Sequence, residues 1–348
     1  VQTNLPQDNK LDWPASQRVA AFNNWLDLTD KLINPRTQLR PDLIAWPETM
    51  FPGGELNPEA VEQYRKFGIY LESPATAGNK PQRIALADFS STLLESQRKR
   101  GVPMLIGATA AEGFAITPAD EADPAKRGRV KMSRDARYNS VFLVDDGQVQ
   151  KQRYDKISLT TFGEYIPFLW RYPDVQNYIV GLGARGMKFD LKFGTNRTPF
   201  TLRTTPARVI TPICFEMTYA SHCADLVYND GKRVADVIVN PSNDGWFYDS
   251  DMGRQAHIFH SQMRALETRT PIIRSVNTGT SCAINSRGQI SQEIPPRTAG
   301  ARIITVELDA ATEPTFYVAA GWLLPWVCEG LMAVVVVTTI ALGRRQKP

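Results

Sequence analysis

The stretch Arg208–Ala220 reads RVITPICFEMTYA. A β-branched run, Arg208–Ile213, predicts a buried strand, and Thr218–Asn229 then carries a helical pattern. The residue at the junction is Cys214. A thiol at a strand-to-helix turn beside a helix N-terminus is expected to gain thiolate character. The next backbone N–H, that of Phe215, is placed to donate to an oxyanion, and Glu216 adds a carboxylate one position on.

Two other segments end predicted strands with chemistry-bearing side chains. LIAWPETMFP, Leu43–Pro52, runs an apolar strand into Trp46-Pro47 and presents Glu48 at a sheet edge, where partial desolvation suits a general base. YDKISLTTFGEYIPF, Tyr154–Phe168, places Lys156 in a largely apolar stretch, and Gly163 allows a turn that brings Glu164 toward the same pocket. Each residue alone reads as ordinary: a surface carboxylate, a surface lysine, a buried cysteine. Together they supply what cysteine acyl chemistry needs, namely a nucleophile, a base other than histidine and a cation for the oxyanion.

Composition leaves room for this chemistry. The 348 residues are 43% hydrophobic and 22% charged, enough for a packed core. The net charge of +4 is spread along the chain without a basic–aromatic stripe, which argues against nucleic-acid binding. The four cysteines, Cys214, Cys223, Cys282 and Cys328, have neither zinc spacing nor the density of a disulfide framework. His257 and His260 lie three apart on a predicted helix with no acidic third ligand at an obvious spacing, so they read as a polar helix face, and no metal or cofactor is expected.

Further strands are predicted at Leu43–Trp46, Met104–Ala108, Ser140–Val144, Val237–Asn240, Ile272–Val276 and Ile303–Glu307, and helices at Ser16–Leu32, Gln82–Arg100 and Gly253–Thr268. The order indicates a mixed α/β sandwich of sheets covered by helices. The polar segment Thr117–Arg137 reads as a surface loop, and Pro167–Thr201 as a long loop rich in glycine and aromatics. GWLLPWVCEGLMAVVVVTTIAL, Gly321–Leu342, is long enough to span a bilayer; Trp322 and Trp326 suit an interfacial belt, and Glu329 is its only charge. Arg344, Arg345 and Lys347 then predict a cytoplasmic C-terminus, with the preceding domain facing outward. Val1 in place of Met predicts a processed chain or a fragment of a longer one.

Glu48, Lys156 and Cys214, in that chain order at strand ends, resemble the catalytic triad of the nitrilase superfamily. WPET, FGEYIPF, CFE, NPSNDGWF (240–247) and MRALETRTPIIRSVNTG (263–279) together are similar to the apolipoprotein N-acyltransferase family, as is the entry PTFYVAAGWLLPW (314–326) into the terminal span. The resemblance implies a nitrilase-type α-β-β-α sandwich over 1–316, a transmembrane helix over 317–343 and a basic tail over 344–348. It implies that Cys214 attacks a phospholipid acyl ester to form a thioester, that Glu48 is the base, and that Lys156 and the Phe215 N–H stabilise the tetrahedral intermediate. Glu164 and Glu216 match further acidic positions of the family. Asn139, Trp170, Trp246 and Phe247 are candidate substrate contacts.

The implied acceptor is a diacylglyceryl apolipoprotein, and the implied setting is the bacterial inner membrane, with the enzyme a monomer. The alternative is a membrane-anchored amidase acting on a small amide. The sequence departs from the family pattern at Ile157–Thr161, where the family commonly has His-Leu-Val-Pro before FGEY, at Phe215, where it often has Tyr, and at Tyr248, where Gly is common.

Overall fold

The computed structural model describes residues 1–5, 14–33, 40–73, 82–118, 130–172, 175, 190–310, 313–321 and 323–345. Two sheets face each other. The first has the strand order Ile44–Ala45, Met104–Glu112, Ala136–Asp145, Gln148–Asp155; its first pair is parallel and the others antiparallel. The second runs Ile290–Ile294, Ser281–Ile284, Ile272–Asn277, Val237–Asn243, Arg208–Ile210, Phe200–Thr201, with parallel pairing through its three central strands.

Parallel strands must be buried on both faces, and the sequences show it: all seven residues of Val237–Asn243 are buried. Leu105, Val141 and Leu143 of the first sheet share one apolar cluster with Val209, Ile238 and Val239 of the second. The outer face of the second sheet is covered by helices Ala220–Val227 and Asp251–Thr268, through Cys223, Leu226 and Ala265. The outer face of the first is covered by helices Ala15–Leu32 and Leu86–Arg100, where Phe22, Trp25, Phe89 and Leu93 pack with Trp46 and Ile106. This α-β-β-α layering is the architecture expected of the chain.

Several elements differ from expectation. Ile303–Glu307 forms no strand: the side chain of Gln292 accepts from Thr305 N and donates to Thr305 O, taking the backbone groups a ladder partner would take. The helix expected from Gln82 begins at Leu86, because Gln82–Ala85 pairs antiparallel with Tyr70–Ser73. Part of the expected loop Thr117–Arg137 belongs to a hairpin, Ala115–Pro118 with Val130–Ser133, and the next strand starts at Ala136. The helix expected over Thr218–Asn229 is confined to Ala220–Val227.

One glycine fixes the approach of two segments. A Cβ on Gly107 would lie 2.3 Å from the Pro47 carbonyl oxygen and 2.8 Å from Glu48 Cα. Only a residue without a side chain lets the 104–112 strand pass under the turn that carries Glu48. Gly107→Ala is therefore expected to displace that turn and to lower the rate of any reaction that uses Glu48 by about 100-fold, as misplacement by about 1 Å commonly does; single-turnover kinetics with the purified variant checks it.

The helix Leu323–Arg345 contains a 20-residue window, Leu323–Leu342, of mean hydropathy 2.0 with none of it buried. It is long and apolar enough to cross a membrane. Trp322, Lys347 and the side chains of Arg344 and Arg345 lie outside the described residues, so the belt and tail expectations are carried there by sequence alone.

Candidate active site

Three strand ends converge. Beyond Ile44–Ala45, Trp46 N donates to Leu105 O at 2.9 Å, which keeps the chain in register with the neighbouring strand until Pro47 turns it toward Glu48. Beyond Gln148–Asp155, Lys156 N donates to Asn139 O at 2.8 Å and its own carbonyl accepts from Gly194 N at 2.8 Å. The lysine backbone is thus fixed from two sides.

The Lys156 side chain is 1% exposed, and its Nζ lies 2.8 Å from Glu164 Oε2, 3.3 Å from Glu48 Oε1 and 3.4 Å from Thr160 Oγ1. Three ammonium protons meet three acceptors. Burial pulls the Lys156 pKa down, but the charges of Glu48, Glu164 and Cys214 outweigh it and hold the ammonium well above its ordinary value. Burial likewise raises the carboxyl of Glu164, and Lys156, the Thr160 N–H and Asn139 more than reverse this, so it sits below the usual carboxylate range.

Asn139 joins the two carboxylates: its Nδ2 donates to Glu48 Oε1 at 2.7 Å and to Glu164 Oε1 at 3.1 Å. Its amide is engaged with the site's own carboxylates. The other Glu48 oxygen, Oε2, is buried and has no hydrogen-bond partner among the described residues. Such an atom costs free energy in a resting protein and marks a place where a proton or substrate group can be received.

Cys214 opens a short 3-10 turn, Cys214–Thr218, and has φ of 51°. A side-chain-bearing residue in the left-handed region costs about 1–3 kcal/mol and persists only when its surroundings enforce it. Here they do. Asn240 Nδ2 donates to Pro212 O at 2.8 Å, Ile213 N donates to Glu216 Oε2 at 2.7 Å, and His257 Nε2 lies 3.1 Å from Cys214 O.

Burial pushes the thiol well above its ordinary pKa; Glu48 and Asp244 push it further, and Lys156 and a hydrogen bond with Ser242 only partly offset them. The expected thiolate character at this turn is therefore not present at rest. The turn is too short to provide a helix field, and two carboxylates outweigh one ammonium. Glu48 and Lys156 lie close enough to act on the thiol in opposite directions, so the structure brings all three sequence-predicted residues together.

Residues 13–315 match the carbon-nitrogen hydrolase family. The chain belongs to the carbon-nitrogen hydrolase family. Among curated proteins it is similar to the apolipoprotein N-acyltransferase of Allorhizobium ampelinum, with 30% identity over 319 residues, covering 90% of this chain and 48% of that protein. It is also similar to the one from Brucella suis, with 28% identity over 325 residues, covering 93% of this chain and 49% of that protein. The chain spans about half the length of the curated relatives it matches. Among solved structures, a carbon-nitrogen hydrolase from Helicobacter pylori G27 aligns with a TM-score of 0.49 and 11% identity, over 81% of this chain and 83% of that one.

Within this candidate site, Glu216 is fully buried and saturated. Oε1 accepts from Ile157 N at 2.7 Å and Ser158 N at 2.8 Å, and Oε2 accepts from Ile213 N and from the Tyr154 hydroxyl at 2.8 Å. It ties the residues just after Lys156 to the residue just before Cys214. Glu216→Gln turns one acceptor oxygen into a donor and strands two of those N–H or O–H groups. At about 1–3 kcal/mol per buried unsatisfied donor, the variant is expected to lose roughly 2–6 kcal/mol. Chemical denaturation followed by circular dichroism measures it.

The remaining candidates fall into two sets. Phe215 is partly exposed and stacks edge-on with Tyr219, ring centres 5.8 Å apart. Trp246 and Tyr248 are exposed, as are Phe162, Phe168 and Tyr172 in the segment around Glu164, whereas Phe247 packs edge-on against His257. The side chain of Trp170, and Tyr178 and Ile179 of the aromatic-rich loop expected over Pro167–Thr201, lie outside the described residues. His257 is not part of a polar surface face: it is 2% exposed, held by Asp244 and directed at Cys214. Its three-residue spacing from His260 suggested a solvated stripe. The signal that could have found it is Asp244 within NPSNDGWF, a carboxylate directly after the buried strand Val237–Asn243.

Proposed function

We propose that this chain transfers a fatty acyl group from a phospholipid to the α-amino group of a diacylglyceryl-modified N-terminal cysteine of an apolipoprotein, through a thioester on Cys214. The observation that carries the reading is the free Glu48 Oε2 in a buried Glu48–Lys156–Glu164 cluster beside a strained cysteine. The names of the relatives supply the donor and acceptor classes.

The resting thiol is protonated, so attack requires a base at the moment of reaction. Glu48 Oε2 takes the proton as Sγ attacks the acyl carbonyl carbon. As Glu48 becomes neutral its hold on Lys156 weakens, and the ammonium can turn an N–H toward the oxyanion, joined by the Phe215 N–H. Collapse breaks the ester bond; the departing lysophospholipid oxygen takes the proton from Glu48. In the second half-reaction the acceptor amine attacks the thioester carbon, loses a proton to Glu48, and Sγ leaves to recover that proton. The product is an amide. Glu164 and Asn139 keep Lys156 and Glu48 aligned throughout.

The exposed apolar helix Leu323–Leu342 supports a membrane setting, here the bacterial inner membrane with the 1–316 domain on the outer face. The exposed rings around Phe162–Tyr172 and at Trp246 and Tyr248 suit the passage of acyl chains. The test is to give the acyl-enzyme a choice of nucleophile. Formation of an N-acyl diacylglyceryl peptide in preference to free fatty acid supports transfer; release of fatty acid only, or turnover of small amides without lipid, points to the anchored amidase instead.

A further inference from the structure

The carbonyl of Cys214 and the N–H of Phe215 belong to one peptide group, and that carbonyl is held by a buried chain of polar side chains. Arg274 Nη2 lies 3.4 Å from Asp244 Oδ2; Asp244 Oδ1 lies 2.8 Å from His257 Nδ1; His257 Nε2 lies 3.1 Å from Cys214 O. Arg274, Asp244 and His257 are 1%, 1% and 2% exposed. The chain is rigidly set. Arg274 Nη1 also donates to the His257 carbonyl at 2.9 Å and to Ser261 Oγ at 2.8 Å, and Ser242 Oγ donates to Asp244 Oδ1 at 3.0 Å. A Cβ on Gly279 would lie 2.1 Å from Asp244 Oδ2, so that glycine is what lets the carboxylate sit there.

The ring sits between two acceptors. Burial raises the Asp244 carboxyl, but His257, Arg274 and Ser242 more than offset it and hold the pKa below the ordinary value, so Asp244 is ionised and only accepts. The Cys214 carbonyl also only accepts. The ring bridges these two acceptors, with Nδ1 facing the carboxylate and Nε2 facing the carbonyl. The other charged groups near the ring are Arg274, behind Asp244, and His260 on the same helix.

We propose that His257, fixed by Asp244 that Arg274 in turn anchors, is a positioning residue that orients and polarises the Cys214–Phe215 peptide so that the Phe215 N–H becomes a stronger donor to the oxyanion. A hydrogen bond donated to the carbonyl oxygen draws electron density from the amide nitrogen, and hydrogen bonds in series reinforce one another. None of the three side chains touches the substrate, and the proposal rests on Cys214 being the acyl-accepting nucleophile.

The test separates a step that needs an oxyanion donor from one that does not. Acylation of Cys214 by phosphatidylethanolamine in vesicles passes through a tetrahedral oxyanion; alkylation of Cys214 by iodoacetamide is a displacement at carbon with none. His257→Gln can still place a donor near the carbonyl, and Asp244→Asn keeps the side-chain volume while removing the carboxylate that fixes the ring. Both variants are expected to acylate at least about tenfold more slowly than the unaltered chain, within the range seen when an oxyanion donor is weakened. Alkylation of Cys214, followed by peptide mass mapping, should not slow in either variant, and faster alkylation of Asp244→Asn agrees with the loss of a charge that raises the thiol; either result shows that the turn is intact.

Equal losses in acylation and alkylation would mean that His257 only supports the fold and would overturn the proposal, as would unchanged acylation in both variants. Absence of acylation in the unaltered chain would strike at the function proposed above rather than at the role of His257.

Discussion

Lys156→Met is expected to abolish acyl-enzyme formation and to destabilise the protein by about 3–5 kcal/mol, the usual result of removing one partner from a buried ion pair. The methionine keeps the apolar stem and loses the charge. Glu48 and Glu164 would then face each other across Asn139 with no cation between them. The two proteins should also respond oppositely to acid. In the unaltered chain Glu164 is held below its ordinary value of 4.5, so its contribution to stability is present above that pH and is lost as pH falls through the lowered value. In the variant, burial without Lys156 raises the Glu164 carboxyl; a raised folded pKa stabilises below the unfolded value and is lost as pH rises. Denaturation midpoints should therefore rise with pH up to about 5 and then level off for the unaltered chain, and fall as pH rises above about 5 for Lys156→Met. Parallel slopes would show that the ammonium is not what holds Glu164 ionised.

Glu48→Gln is expected to lower the acylation rate by about 10³-fold, within the range for loss of a positioned general base. It should cost little stability, about 1–2 kcal/mol, because the atom it alters, Oε2, makes no hydrogen bond among the described residues while Oε1 can keep its contacts with Asn139 and Lys156. A large activity loss with a small stability loss is the signature of a base. Rapid-quench measurement of the first turnover, beside a thermal melt, gives both quantities. Comparable acylation in Glu48→Gln would remove Glu48 from the chemistry.

The parts of the site that were legible in the sequence are those at strand ends. Glu48 and Cys214 follow apolar runs that pair in the sheets, whereas Lys156 follows the polar strand Gln148–Asp155, and the family resemblance supplied the grouping. Glu164 and Glu216 were legible as acidic positions but not as opposites: one is an ion-pair partner of Lys156, the other a four-bond clamp that holds backbone.

Asn139 read as a substrate contact. Its bridging of Glu48 and Glu164 arises from the pairing of Thr109 with Asn139 across strands distant in sequence, which no local pattern reports. His257 was missed because a histidine on an amphipathic helix looks solvated until a buried aspartate is brought beside it. The strand expected at Ile303–Glu307 had a suitable apolar pattern, yet its backbone found the Gln292 side chain first. Local pattern predicts which segments prefer to extend; it does not say which partner will satisfy them.

Cys214 is the group on which the proposed transfer most directly depends. Intact mass spectrometry of the chain after incubation with phosphatidylethanolamine vesicles, with Cys214→Ala alongside, is the measurement to make. The prediction is a fatty-acyl mass increment on the unaltered chain, absent from the variant and discharged by a diacylglyceryl peptide with a free amine. An increment that persists in Cys214→Ala, or a folded unaltered chain that takes up no acyl group, would contradict it.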